Sequence, residues 1–149
     1  MSYSIGAAAE AVGVPTSTVR YYDKEGLLPF VKRSDSGLRQ FEDSDVDGLR
    51  MIECLKRTGM SLKDIRQFMQ WCHEGDSTLR ERRDMFYERR EAVESQIEEL
   101  RSTLDTIEYK CWFYDTAVAA GTDSAPREMV AAGDMPPRIS KAHDRMMAR

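Results

Sequence analysis

The sequence predicts a mainly α-helical chain in which a small head of short helices and one β-hairpin precedes a single long helix. Three observations carry this. Two short helical stretches near the N-terminus are separated by Gly13-Val14-Pro15. Two short apolar–basic runs flank the turn signal Ser34-Asp35-Ser36-Gly37, which reads as a hairpin. Leu79, Phe86, Val93, Leu100, Ile107 and Tyr114 then recur at intervals of seven, the spacing of a coiled-coil seam.

The elements follow in order. Ser4 stands where an N-cap belongs, three alanines (Ala7, Ala8, Ala9) favour helix, and Gly13 closes the element. Pro15 opens a second helix over 16–25, and Gly26 ends it. Two short helices joined by a glycine turn form a helix-turn-helix. Leu27–Phe41 supplies the hairpin. Helical periodicity resumes with Val46, Leu49, Ile52 and Leu55, with a cap expected at Asp43 or Ser44, and stops at Gly59. Ser61-Leu62-Lys63-Asp64 is a capping signature for a fourth helix with Leu62, Ile65, Phe68 and Met69 on one face. From Thr78 one helix is expected to run to Ala120. Ile97, Leu104, Cys111 and Val118 add a second seam. After Gly121 prolines, small residues and four methionines follow without a sustained period, so a loose tail is expected. The division is therefore a winged helix-turn-helix head over 1–75, a coiled-coil dimerisation helix over 76–120, and a flexible tail over 121–149.

Composition bounds the function. Of 149 residues, 41% are hydrophobic and 32% charged. The first figure excludes wholesale disorder, and the second suits long solvated helices. No apolar run approaches the roughly 18 residues of a membrane span. Met1–Ile5 lacks the pattern of a secretory leader. Three cysteines, an odd number, argue against a secreted disulfide scaffold. A cytoplasmic chain with no membrane partner is expected. The net charge of −4 lies in the second half, because residues 1–70 carry ten basic and ten acidic side chains. Residues 15–40 carry five basic and three acidic side chains, net +2. A locally basic face suits nucleic acid better than the overall charge suggests.

The second helix holds Thr16, Ser17, Thr18, Arg20, Tyr21, Tyr22 and Lys24. Helix-turn-helix proteins lay the N-terminal part of this helix in the major groove. There an arginine pairs with guanine or phosphate, and hydroxyls reach phosphates or base edges. Lys32, Arg33 and Arg39 flank the hairpin turn. A basic hairpin beside such a helix is a wing that grips backbone. Lys63 at the start of the fourth helix adds a further cation. Leu79, Phe86, Val93, Ile97, Leu100, Leu104, Ile107 and Cys111 are the dimerisation candidates. The histidines, His73 and His143, are far apart in sequence and belong to no nucleophile constellation, so no enzyme is expected. The rival class is a coiled-coil interaction module without DNA binding.

Ile5-Gly6 with Ala9, Val19-Arg20-Tyr21-Tyr22-Asp23 with Gly26-Leu27-Leu28, Gly37-Leu38-Arg39-Gln40-Phe41, and Gly59-Met60-Ser61-Leu62-Lys63-Asp64-Ile65 stand in one order. Over residues 2–120 this set resembles the MerR family of bacterial transcription regulators. The resemblance implies a homodimer joined by an antiparallel coiled coil, with one winged helix-turn-helix per subunit. It also implies an effector-triggered distortion of overlong promoter spacers, through which RNA polymerase engages both promoter elements. Leu38 stands where the family often has tyrosine. The cysteine positions of metal-responsive members are not matched, so no metal or other cofactor is implied. Cys54 on the third helix is similar in placement to the sensor cysteine of the aldehyde- and nitrosative-stress (NmlR/AdhR-like) branch, and nearby Lys56 and Arg57 favour its thiolate. The competing expectation is that Cys54, between Ile52 and Leu55, is buried core.

Overall fold

A computed structural model describes all 149 residues, in two compact units: Met1–Arg89 and Arg90–Arg149. The first contains α1 (Ile5–Val12), α2 (Thr16–Lys24), β1 (Lys32–Arg33), β2 (Arg39–Gln40), α3 (Asp43–Arg57), α4 (Leu62–Glu74), a 3-10 turn (Asp76–Thr78) and the start of α5 (Leu79–Ala120). The second contains the rest of α5, α6 (Ser124–Ala132) and α7 (Pro137–Met147).

Local chemistry sets the boundaries of the head. Ser4 caps α1 by accepting from the Ala7 amide. Gly13 closes α1 at φ 72°, a left-handed conformation natural to glycine. Ser61 caps α4 by accepting from the Asp64 amide. The α3 cap lies one residue earlier than expected, at Glu42: its side chain and that of Asp45 form a reciprocal capping box. Asp45 reaches back to the Glu42 amide at 2.7 Å, which accounts for its burial.

The hairpin is antiparallel, with Lys32 opposite Gln40 and Arg33 opposite Arg39. Ser34 and Gly37 close the turn. Tyr3 bridges to Phe41 and extends the pairing. Ala8, Ala9, Val19, Tyr22, Leu27, Phe41, Leu49, Ile52 and Ile65 form the head's core. Each helix of the head thus buries one face and leaves the other to solvent.

The second unit corrects the expected tail. Most of residues 121–149 lies in two helices, α6 and α7. Ala142 and Pro126 are buried; α7 is tied to α5 by Arg138 with Glu108 and Arg145 with Asp105, and just beyond α7 Arg149 pairs with Glu98. As residue numbers rise along α7, those of its partners fall along α5, an antiparallel packing. Tyr109, Phe113 and Ala117 of α5 are buried. The Tyr109 and His143 rings pack against each other at a tilt, with centroids 5.0 Å apart. The aromatic cluster of residues 109–114 is therefore in part packing for the C-terminal helices. Burial against α5 stabilises segments whose own propensity is weak.

Candidate nucleic-acid interface

On α2, Ser17, Arg20, Tyr21 and Lys24 are exposed. Their spacing of three, four and seven places them on one helical face. Val19 and Tyr22 occupy the opposite, buried face. Thr16 and Thr18 are half-buried at the helix start. No side chain caps the N-terminus of α2; the Thr18 amide donates to the Pro15 carbonyl at 2.9 Å, and the amides of Thr16 and Ser17 before it have no intrahelical acceptor and can meet an anion. Lys32 and Arg33 are exposed on the hairpin, and Lys63 is exposed at the first turn of α4. Leu38, at the hairpin tip, is 71% exposed.

Tyr22 departs from the sequence expectation. It is 1% exposed. Its hydroxyl donates to Glu53 of α3 and accepts from the Lys56 ammonium at 2.7 Å. Burial, then the hydrogen bond to Glu53, push the hydroxyl far above its usual pKa. Tyr22 therefore ties α2 to α3 and has no free face for a ligand. The RYY triplet divides into an outward arginine, an outward tyrosine and an inward tyrosine, as helical periodicity requires.

Arg39 also departs from it. Its guanidinium is hydrogen-bonded to Asp23 of α2, and its buried Nε has no partner. Arg33 approaches the same carboxylate at 3.8 Å. Arg39 thus acts as a strut between hairpin and helix, leaving Lys32 and Arg33 as the outward cations. The sequence offered no direct signal for Asp23, because its partner lies 16 residues away.

Cys54, Cys72 and Cys111 are free thiols and all exposed. The expectation of a buried Cys54 is therefore corrected: it projects from α3 between the buried Ile52 and Leu55. The expected help from Lys56 is also corrected, since its ammonium is engaged by Tyr22 and lies 3.8 Å from Glu53. Arg57, three residues on, shares the Cys54 face. Cys72 lies 3.8 Å from the Arg82 guanidinium.

Along α5, Leu79, Phe86, Ile97, Leu100, Leu104, Ile107, Tyr114 and Val118 are exposed. Cys111 is exposed on the same seam, and Val93 is half-buried. Phe86 also packs edge-on against Phe68, centroids 5.2 Å apart. The stripe is distinct from the α5 face that carries Asp105, Tyr109, Phe113 and Ala117, so the heptad positions are not used within the second unit.

Two family models match in overlapping stretches: MerR HTH family regulatory protein over residues 3–71, and MerR, DNA binding, over residues 46–109. An uncharacterized HTH-type transcriptional regulator of Haemophilus influenzae is 46% identical over 125 residues, 84% of this chain and 93% of that one. The chain belongs to the MerR family. It is a DNA-binding transcriptional regulator. Within MerR proteins it is similar to HiNmlR, a regulator lacking the sensor domain, in a crystal structure bound to promoter DNA. The identity there is 46% and the TM-score 0.61, over 84% of this chain and 99% of that chain. The regulator AdhR of Bacillus subtilis is 31% identical over 60% of this chain and 64% of its own length. These relatives support membership of the NmlR/AdhR-like branch of MerR proteins, and they are regulators rather than enzymes. No helix is long and apolar enough to cross a membrane.

Proposed function

We propose that the chain works as a cytoplasmic homodimer joined through α5, which holds two winged heads on double-stranded promoter DNA and distorts the spacer between promoter elements. RNA polymerase is reached through the DNA, not through a protein contact. The observation that carries the dimer is the exposed heptad stripe. Leu100 and Leu104 are 68% and 53% exposed on a helix whose other face is already packed. Apolar side chains repeating every seven residues find their burial against a second such helix. Two heads at a fixed separation then select half-sites at a fixed spacing, and straining the intervening DNA makes the response a matter of shape.

In this reading Thr16, Ser17, Thr18, Arg20, Tyr21 and Lys24 face the groove. Lys32, Arg33 and Lys63 face phosphates. The effector is an electrophile or aldehyde acting at Cys54. Its exposure supports access by small reagents, and its neighbour Glu53 holds Tyr22 of the recognition helix. An adduct on α3 is thus one residue from a contact that positions α2. Footprinting on the promoter beside the encoding gene, with and without an aldehyde, tests the proposal. Two protected half-sites with altered spacer reactivity on treatment are expected. Protection of a single half-site, or a spacer unchanged by every electrophile, would overturn the corresponding part.

A further inference from the structure

An acid stands at the edge of the basic face. Asp23 lies on α2 three residues after Arg20 and one before Lys24, so its charge stands close to any phosphate this face meets. Charge alone makes it a liability, since cations on such a surface gain affinity by releasing counterions and an anion opposes them. The geometry gives it a different role. Its carboxylate is 21% exposed and accepts from Arg39, itself 23% exposed, while Arg33 approaches at 3.8 Å. Both arginines belong to the hairpin, in which they stand opposite one another across the two strands. The carboxylate on the recognition helix therefore holds β2 of the wing through Arg39, while the largely exposed Arg33 of β1 stands near the same charge without a hydrogen bond to it. The Arg39 Nε is itself buried, so this guanidinium is turned toward the helix and not extended toward solvent.

We infer that Asp23 is a positioning residue for DNA binding: its carboxylate fixes the wing to the recognition helix through Arg39, and so strengthens DNA binding in spite of its sign. The hairpin strands are two residues each, too short to be stiff alone. Without the strut, wing and helix can still fold, but the cost of holding both on one duplex falls at the moment of binding. The inference rests on the assignment of α2 and the hairpin to the DNA-facing side proposed above.

The test compares full-length variants on one duplex, selected by the wild-type protein from a random-sequence pool. Charge counting predicts that Asp23→Asn tightens binding. Positioning predicts that it weakens binding by about tenfold, the scale of one charge-assisted hydrogen bond. Arg39→Gln is expected to weaken binding similarly, and the double variant no further, because both remove the same strut. Asp23→Glu, which restores the carboxylate, is expected to recover part of the loss. The melting temperature of each variant is read alongside, and a loss of affinity without loss of melting temperature separates positioning from general damage. Arg20→Ala and Lys32→Ala report on the interface itself. If those two weaken binding while Asp23→Asn tightens it or leaves it unchanged, the positioning role is overturned and the interface stands. If additive losses appear in the double variant, Arg39 is an independent phosphate contact and the inference fails. If Arg20→Ala and Lys32→Ala both bind normally, the interface assignment falls and this inference with it.

Discussion

Arg145 donates through Nε and Nη2 to the two oxygens of Asp105, at 2.9 and 2.6 Å. The pair joins α7 to α5, and Asp105 is 8% exposed. The hydrogen bond from Arg145 is the main cause holding the Asp105 carboxyl below its ordinary pKa. A carboxyl that ionises more readily in the folded state contributes stability above its unfolded pKa of about 3.9 and loses it as pH falls through the lower folded value. The docking of α7 should therefore loosen in acid and not in mild alkali. Protection factors of the α7 amides, corrected for intrinsic exchange, should fall below pH 4 in the wild type and already at pH 7 in Arg145→Gln. Equal protection in both proteins at pH 7 would show that Arg145 does not hold the helix.

The C-terminal helices also show where the sequence was hard to read. Ile139, Ala142, His143 and Met146 have a helical spacing that sequence reading can recognise, and all face inward in the structure. Clustered prolines at 126, 136 and 137 and the exposed Met147 obscured it. Pro126 and Pro137 lie in first turns, where a missing amide is harmless. The caps at Ser4 and Ser61, the hairpin turn and the seven-residue repeat were legible because each is written in neighbouring residues or a fixed period. The roles of Tyr22, Asp23 and Arg39 were not, because they depend on partners 16 to 34 residues away.

Tyr22→Phe removes a buried hydroxyl from between Glu53 and Lys56 while keeping the ring in the core. The expected cost is about 1–3 kcal/mol, since a charged acceptor loses its donor. Operator contacts are not touched, so any change in DNA affinity should come only through the positioning of α2. Urea unfolding gives the stability term. A variant as stable as the wild type would mean that the Tyr22 hydroxyl contributes nothing net.

Arg20→Ala should weaken binding by about 1–3 kcal/mol per half-site if the side chain reads a base, and should relax preference at one position of each half-site. Lys32→Ala and Lys63→Ala should instead weaken all sequences alike and reduce the salt dependence of binding, as loss of a phosphate contact does. Titrations at two salt concentrations distinguish these behaviours. Unaltered binding by all three variants would remove α2, the hairpin and the start of α4 from the interface.

Leu100→Asp with Leu104→Asp places two charges on the exposed heptad stripe. In an isolated chain these positions are solvated and the change is nearly neutral. In a dimer each charge would be desolvated without a partner, a large penalty. Sedimentation should show a folded monomer, and operator binding should be lost with the dimer. A double variant that remains dimeric would exclude this stripe as the subunit interface.

Cys54 poses the sharpest question about the effector. Accessibility does not single it out, because all three thiols are exposed, and Cys72 has the Arg82 guanidinium beside it. What distinguishes Cys54 is its place on α3. It adjoins Glu53, whose carboxylate holds the Tyr22 hydroxyl of α2, so an adduct there can shift the recognition helix with little movement. Treatment with an aldehyde or a nitrosothiol is therefore expected to modify more than one cysteine, with promoter activation following occupancy at Cys54. Cys54→Ser should fold, dimerise and bind DNA like the wild type, because the side chain lies outside the core and outside the proposed DNA-facing set. It should not respond to the electrophile. Mass spectrometry of the treated protein gives site occupancy, and a reporter assay on the same variant gives the response. Normal induction in Cys54→Ser would end the thiol-sensor reading at this position and leave the exposed Tyr114 end of α5 as the next place to look.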